Sequence, residues 1–237
     1  LVFQRAYCQQ AFCSPSRSSL LTGRRPDTTK VYDLEADFRT ALPGVVTLPQ
    51  YFKQQGYHSQ GMGKIYHNKK DDAISWSVPH WDAQTENPIY GPKGRQATRD
   101  RQAAARAAGR PHRWEDGVKG PFYDDPDIPD DALPDGKTAE RAMAVLREIK
   151  DRTFFLAVGF HKPHLPFVAP KKYWDLYSEP ELALATNPLP GRNAPPCAFH
   201  DWAAELRGYL GMPRKGELTE AQARKLIHGY YAAISYA

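Results

Sequence analysis

The feature that most constrains the fold is an apolar strand that directly follows an amphipathic helix. Between Thr138 and Lys150 apolar side chains recur at helical spacing, and Phe154 to Phe160 is an unbroken apolar run of strand length. The residues predicted to share one face of the helix are Ala142, Val145, Leu146 and Ile149. A helix that leads into a buried strand is typical of an α/β fold.

The same order of elements occurs earlier in the chain. Thr47 is suited to cap a helix that continues to Gln55, and Tyr57 to Gly63 has the pattern of a short strand. The moderately apolar start, Val2 to Ala11, predicts an opening strand, followed by a turn and a short helix that Gly23 ends. This alternation predicts an α/β fold with a central sheet flanked by helices.

Polar residues follow each of the three predicted strands. Cys13 follows the first strand and Lys64 follows the second, while His161, Lys162 and His164 follow the third in the run HKPHLP. Open α/β sheets commonly place their sites outside the carboxyl ends of the strands. We therefore expect these side chains to converge on one site.

The remaining segments carry fewer signals. Residues 68–135 are rich in Pro, Gly, Asp and Arg and predict a surface insertion, apart from a helix around Arg95 to Ala108. A proline-rich stretch from Glu179 to Ala198 precedes a final helix, which begins at Thr219 with a cap-like TEAQ sequence.

The composition is that of one globular domain. The 237 residues, 41% of them hydrophobic, are enough to bury a single core, and no run reaches the roughly 18 apolar residues of a membrane span. The net charge of +5 has no long single-sign block, so it fits anionic substrates or an ordinary solvated surface, and we expect no nucleic-acid partner. The start lacks a signal-peptide pattern and the end resembles an unfinished helix, so we expect both ends to be cut.

Cys13 is the strongest candidate for covalent chemistry. It lies at a predicted helix N-terminus, four residues before Arg17, so the helix dipole and the guanidinium would stabilise a thiolate. The three cysteines, Cys8, Cys13 and Cys197, form neither a Cys-x-x-Cys pair nor a zinc pattern. A small buried core cysteine is the alternative, and the residues alone leave both interpretations open.

The run CSPSRSSLLTGR at residues 13–24 resembles the signature of the sulfatases, whose Cys-x-Pro-x-Arg core is recognised by an enzyme that oxidises the cysteine to formylglycine. The resemblance continues, in order, at residues 25–29, 48–52, 63–67 and 161–167. It is greatest to the iduronate-2-sulfatase group and its bacterial relatives. It implies an alkaline-phosphatase-like α/β fold, with residues 1–237 forming part of an N-terminal catalytic domain that is incomplete at both ends. Phe12 is bulkier than the usual residue before the cysteine.

The resemblance also implies a mechanism. In such enzymes the hydrated aldehyde attacks sulfur with one oxygen, and its second oxygen later expels sulfate by restoring the aldehyde. Cys13, once modified, would be the nucleophile and a metal ligand, with Arg17 supporting it. Lys64 would bind the sulfate oxygens, and His67 would bond the formylglycine hydroxyl and assist the release of sulfate.

His164 matches the family histidine that contacts the sulfate and protonates the leaving alcohol, and His161 and Lys162 would line the same wall as substrate-binding residues. The alternative for His161 and His164 is a pair of structural histidines that bond the backbone of a proline-stiffened turn. His58, His80, His112, His200 and His228 receive no role.

The resemblance implies a divalent metal, best matched by Ca²⁺, and a sulfated carbohydrate substrate. Acidic pairs occur at residues 71–72, 124–125 and 130–131, but they lie in proline-punctuated loops, and the family's metal-binding aspartates occur elsewhere. We therefore expect the remaining metal ligands outside this chain and the chain alone to be inactive. The implied partner is a formylglycine-generating enzyme, and the implied location is periplasmic, extracellular or lysosomal, with any signal peptide outside this chain.

Three alternatives remain. A phosphate or phosphonate monoester hydrolase of the same superfamily would use a related site, although Lys64 and His67 favour sulfate. A non-catalytic homologue would bind sulfated glycans and leave Cys13 unmodified. A coincidental cysteine motif in an unrelated α/β domain is opposed by the match of several separated segments in order.

Overall fold

The computed structural model describes residues 2–67, 70–85, 89–111, 113, 117–189, 191–195, 198 and 204–237. Cys197, His112 and His200 lie outside these ranges. The chain divides into two compact units, the first formed by Leu1–Glu86 and Lys137–His161 and the second by Asn87–Gly136 and Lys162–Ala237. Helices and short parallel strands alternate along the chain, so the fold is mixed α/β, as the sequence predicts.

In chain order the helices and strands are α1 (Cys13–Thr22), α2 (Pro26–Thr29), α3 (Phe38–Ala41), α4 (Leu48–Gln54), β1 (His58–Gly63), α5 (Pro92–Ala107), β2 (Tyr123–Asp124), α6 (Pro134–Ile149), β3 (Phe154–Gly159), β4 (Phe167–Val168), α7 (Lys171–Trp174), α8 (Ala204–Arg207) and α9 (Glu220–Tyr236). In the described ranges 3₁₀ turns occur at Ala73–Ser75, Ala83–Thr85, Asp130–Ala132 and Glu179–Glu181.

The first unit is built on the parallel pair β1 and β3. Their register runs from His58 opposite Phe154 to Gly63 opposite Gly159, so both strands end at the same level. Parallel strands need a long crossover, and most of α6 lies in the segment that leads into β3. The carboxyl ends of the strands therefore deliver the residues that follow them to one edge, as expected for an α/β site.

The apolar face of α6 packs beside strands β1 and β3. Ala142, Val145 and Ile149 form a buried cluster with Met62 of β1. The predicted fourth member of the stripe, Leu146, is 43% exposed, so that prediction is wrong. Helical positions 142, 145 and 149 follow the narrow three-and-four spacing, and position 146 falls at the edge of it.

The ends of these helices are set by local capping bonds and backbone conformations that the sequence predicts. Thr47 accepts from the Gln50 N–H while the Gln50 side chain bonds the Thr47 N–H, a capping box that starts α4 as predicted. Thr219 and Gln222 repeat this arrangement at the start of α9. Gly23 ends α1 in the left-handed region with φ of 66°.

The predicted opening strand is wrong. Residues 2–11 form turns and bends, and within the described ranges no strand pairs with them. Val2, Phe3 and Tyr7 are exposed. Apolar content alone does not make a strand, because the backbone N–H and C=O groups need a neighbouring strand to bond.

The second unit contains the short parallel pair β2 and β4, with Tyr123 opposite Phe167. α9 packs on β4 and α7, and its Gly229 lies so close to Phe167 and Trp174 that an added Cβ would approach each to 2.9 Å. Among the described residues, no helix has the length and apolar character of a membrane span.

Gly63 and Gly23 form a matched pair for testing how β1 ends. Both have φ near 66°, but a Cβ on Gly63 would lie 2.0 Å from the carbonyl oxygen of Gly159, whereas a Cβ on Gly23 meets nothing within 4 Å. We predict that Gly63→Ala lowers the free energy of unfolding by about 3 kcal/mol or more, and Gly23→Ala by only about 1 kcal/mol. Urea unfolding of the purified variants measures both values, and equal losses would contradict the clash at the strand end.

Candidate active site

The first helix places Cys13 at its first position. Phe12 precedes it in an extended conformation, and the Ser16 N–H donates to the Phe12 carbonyl oxygen at 3.0 Å. Pro15 falls within the first turn, where its missing N–H breaks no helical hydrogen bond. Cys13 is a half-buried free thiol. Its side chain therefore lies at the positive end of the helix dipole and remains partly accessible.

Arg17, one turn further along α1, ties this helix to the end of β1. Its Nη1 donates to the carbonyl oxygens of Lys64 at 2.6 Å and Ile65 at 2.9 Å. Burial lowers the pKa of the guanidinium and the nearby Cys13 raises it, and an arginine stays charged throughout. The guanidinium fixes the backbone of the residues that follow β1.

The segment 64–67 carries two of the predicted site residues. Lys64 is buried, and its N–H donates to the Gly159 carbonyl oxygen at 2.8 Å, which extends the parallel pairing by one residue. His67 is half-buried, its Nδ1 is shielded from solvent, and its carbonyl oxygen accepts from the Lys70 N–H at 2.9 Å. The segment is thus held by main-chain bonds on both sides.

A small pocket beside α1 brings several of these groups together. Its lining includes Ser14, Arg17, Ser18, Phe38, Tyr66 and His67. Ser14 directly follows Cys13 in α1, but Cys13 and Lys64 themselves are not among the residues that line the pocket. The structure therefore unites Arg17 and His67 in one pocket within the first unit.

His161 is the last residue of the first unit and is buried. Its Nε2 lies 3.2 Å from Oδ1 of Asp82. Burial alone would raise the pKa of Asp82, but the bonds from His161 and from the Gln84 N–H hold that pKa below its usual value. This pair gives His161 a structural partner, and its predicted contact with substrate stays a prediction.

Lys162 and His164 lie in the second unit. The Lys162 ammonium donates to the Pro166 carbonyl oxygen at 2.7 Å, and its N–H donates to Asp135 at 2.8 Å. Nδ1 of His164 lies 2.7 Å from the Leu165 carbonyl oxygen, which orients the ring. The Lys162–Pro163 and Leu165–Pro166 peptide bonds are cis.

Glu205 of α8 faces the other side of the His164 ring. Its Oε1 lies 3.6 Å from Nε2 of His164 and 3.5 Å from Nζ of Lys119. Both side chains are about two-fifths exposed, so solvent weakens any attraction between them. His164 thus lies between the Leu165 carbonyl oxygen and an acidic side chain.

A model of the sulfatase family matches residues 1–237, which is the whole chain. The chain belongs to the sulfatase family. It is 34% identical over 249 residues to iduronate 2-sulfatase of Mus musculus and 34% identical over 254 residues to that of Homo sapiens. A sulfatase of Formosa agariphila is 28% identical over 252 residues. All of this chain is covered in each case, but only 43%, 43% and 46% of those relatives, so the chain spans less than half of their length.

Sequence reasoning did not single out Tyr66 and Asp82 in the first unit or Glu205 in the second, although Tyr66 precedes His67, Asp82 bonds His161 and Glu205 faces His164. The partners of Asp82 and Glu205 are distant in sequence. Tyr66 lies between Ile65 and His67 in a motif segment, which is a signal that could have been followed. Nothing in the sequence near Asp82 or Glu205 points to the histidines that they face.

The acidic pairs have other partners in the structure. Asp72 accepts two bonds from the Arg39 guanidinium, and Asp130 accepts from the Lys172 ammonium. In the described ranges no group of three or more His, Cys, Asp or Glu side chains is arranged to hold a metal ion. Ca²⁺ takes roughly six to eight oxygen ligands, so these residues by themselves do not form a site for it.

Because the pKa of Asp82 is lowered in the folded state, its contribution to the free energy of unfolding depends on pH. A carboxyl group with a depressed pKa in the folded state stabilises the fold above its unfolded pKa of about 4, and this contribution is lost as the pH falls toward the folded value. We predict that Asp82→Asn lowers the free energy of unfolding by about 1 kcal/mol near neutral pH and by less below about pH 4. Urea unfolding across this pH range measures the difference.

The matched control is Asp151→Asn, which removes the same charge from an exposed position after α6. It should not reproduce the pH-dependent loss. A loss at Asp82 that stays constant down to low pH would contradict the role of its carboxylate.

Proposed function

We propose that this protein hydrolyses sulfate esters of a carbohydrate after Cys13 is converted to formylglycine. The observation that carries the proposal is the tie between α1 and the end of β1. The Arg17 guanidinium bonds the Lys64 and Ile65 carbonyl oxygens, which keeps the helix that begins at Cys13 beside the segment that bears Lys64 and His67.

The position of Cys13 suits this modification. The residue starts a helix, is partly accessible, and is a free thiol. Once hydrated, the aldehyde supplies an oxygen nucleophile for sulfur and a second hydroxyl whose deprotonation expels sulfate and restores the aldehyde. The helix dipole at this position favours the negative charge of the sulfate group.

Lys64 and Arg17 would have different roles toward the sulfate group. The buried Lys64 ammonium would bind the sulfate oxygens, since a cation in a water-poor site attracts an anion more strongly than it does in bulk water. The guanidinium of Arg17 already bonds two carbonyl oxygens, so its main work is to hold the segment while adding positive charge to the pocket.

The histidines would move protons. His67 lines the pocket next to Arg17, where it would accept the proton that must leave the second hydroxyl when sulfate departs. His164, with Glu205 on one side and the Leu165 carbonyl on the other, would donate a proton to the leaving alcohol. His161 and Lys162 would line the wall of the substrate site.

The relatives named iduronate 2-sulfatase support a sulfated sugar as substrate. We further propose an alkaline-phosphatase-like arrangement for the whole catalytic domain, with residues 68–135 as an insertion. A formylglycine-generating enzyme would be the partner that modifies Cys13, and an exported protein is the expected setting. A divalent cation, best matched by Ca²⁺, would need ligands beyond the described residues in addition to the modified Cys13.

The test is to purify the full-length protein after coexpression with a formylglycine-generating enzyme and to analyse the Cys13 peptide by mass spectrometry. We expect formylglycine at Cys13, an unmodified Cys8, and release of sulfate from sulfated uronate oligosaccharides. Cys13→Ala should abolish turnover, by about 10⁴-fold or more, because the nucleophile is lost. The matched control Cys8→Ser, at an exposed free thiol, should keep both the modification and the activity.

Other outcomes discriminate between the alternatives. Turnover of phosphate esters in preference to sulfate esters would favour the related phosphohydrolase function. Glycan binding by a folded protein whose Cys13 stays a thiol would replace the enzyme by a binding protein.

A second test concerns the proton donor. We predict that His164→Ala lowers kcat/KM for a sulfated sugar by about 100-fold but changes that for 4-nitrophenyl sulfate by less than about tenfold, because an activated phenol leaves without a proton. Steady-state kinetics with the two substrates measure the difference. Equal losses on both substrates would argue against a role in leaving-group protonation.

A further inference from the structure

We propose that Tyr66 is a positioning residue for His67, which it anchors through a directional chain of buried hydrogen bonds that ends on the Arg39–Asp72 ion pair. The inference rests on the proposed function, in which His67 assists the release of sulfate. It concerns a hydroxyl group that belongs to no predicted site residue.

Tyr66 is enclosed by aromatic rings. It is 6% exposed, stacks on Phe38 with ring centroids 6.0 Å apart, and meets the Trp76 ring edge-on at 6.0 Å. Its hydroxyl lies 2.8 Å from Oγ of Ser75. A buried hydroxyl costs free energy unless it is bonded, so this contact fixes the direction of the ring.

The direction of each bond in the chain follows from Asp72. Its carboxylate accepts from Arg39 Nε at 2.9 Å, from Arg39 Nη2 at 2.7 Å and from Ser75 Oγ at 2.5 Å. An ionised carboxylate only accepts, so the single O–H of Ser75 donates to Asp72. Ser75 Oγ must then accept from Tyr66, and burial raises the pKa of Tyr66 to about 12, which keeps its proton in place.

Thr47 fills the remaining position on Ser75. Its Oγ1 accepts from the Gln50 N–H at the start of α4 and lies 2.5 Å from Ser75 Oγ, to which it donates. Ser75 Oγ therefore donates once and accepts twice, which is the full capacity of a hydroxyl. The Tyr66 hydroxyl also bonds Thr47, so the three hydroxyls form one cluster with the Asp72 carboxylate, and the cap of α4 is part of it.

This chain adds a side-chain anchor near the end of segment 64–67. The start is fixed by Arg17 and by the Lys64 N–H bond to Gly159. The end is held by the Tyr66 side chain and by the Lys70 N–H, which donates to the carbonyl oxygen of His67, the residue after Tyr66. Loss of the Tyr66 hydroxyl should therefore disturb His67 while Lys64 keeps its place.

The experiment uses the full-length, formylglycine-containing protein and Tyr66→Phe, which keeps the ring. We expect kcat for a sulfate ester to fall by about tenfold and KM to stay within about twofold, since misplacement of His67 affects turnover rather than sulfate binding by Lys64. The matched control is Tyr90→Phe. It deletes an equally buried hydroxyl that donates to the Pro121 carbonyl oxygen at 2.7 Å in the second unit, and kcat should remain that of the wild type.

A double-mutant cycle tests whether the effect passes through Ser75. Ser75→Ala should lower kcat as well, and Tyr66→Phe should add less than about twofold in that background, because the two hydroxyls act as one unit. A Tyr66→Phe variant with the kcat of Tyr90→Phe, or fully additive effects in the cycle, would overturn the proposal.

Hydrogen exchange separates this proposal from the proposed function. The Lys70 amide, which donates to the His67 carbonyl oxygen, should exchange faster in Tyr66→Phe than in the wild type and in Tyr90→Phe, whereas the Lys64 amide should be unchanged. Unchanged exchange at Lys70 would overturn the anchoring whatever the activity. A modified wild-type protein that releases no sulfate would remove the proposed function, and with it the catalytic part of this inference.

Discussion

The bonds from the Arg17 guanidinium to two main-chain carbonyl oxygens join parts of the chain that lie 47 residues apart. A guanidinium that is partly removed from water needs acceptors, because a charge without partners there is destabilising. The carbonyl oxygens at the end of β1 have lost their neighbours in the strand and need donors. Each group satisfies the other, and the helix that begins at Cys13 is held beside the segment that carries Lys64 and His67.

The hydrogen-bond network that links Tyr66 through Ser75 to the Arg39–Asp72 pair fixes which groups donate and which accept. It need not add much to the free energy of folding. Exchange of a buried ion pair for apolar residues often leaves stability unchanged, so the Arg39–Asp72 pair need not add much to the folding free energy. What it supplies is a fixed set of donors and acceptors, since the carboxylate can only accept. Ser75 bonds both Tyr66 and Thr47, and the rings of Phe38 and Trp76 pack against the Tyr66 ring.

Much of the local structure could be predicted because its causes are local. Capping boxes, the left-handed glycine after α1 and the apolar run of β3 depend on neighbouring residues. The opening strand was wrong because a strand also depends on a partner, and Leu146 was misplaced because a helical stripe has an uncertain edge. β3 is half-buried at every position instead of fully buried, since within the described ranges it has β1 as its only strand neighbour.

The residues of the candidate site also differ in whether local sequence or a distant partner determines their contacts. Cys13, Arg17, Lys64 and His67 belong to continuous motif segments, so the sequence could point to them together. The structure adds contacts from these segments to residues outside them, including those of Tyr66 with Ser75 and of His161 with Asp82. These pairings depend on folding and have no short-range pattern, and the role of each residue in catalysis stays a prediction.

The meeting of Gly63 and Gly159 at the ends of β1 and β3 bears on how this family can diverge. A side chain on Gly63 would strike the Gly159 carbonyl oxygen, and one on Gly159 would come within 2.1 Å of the Lys64 carbonyl oxygen. Both obstacles are main-chain atoms, which every amino acid possesses. No second substitution can remove them, so a side chain at either position can be accommodated only by a shift of the main chain where the two strands end.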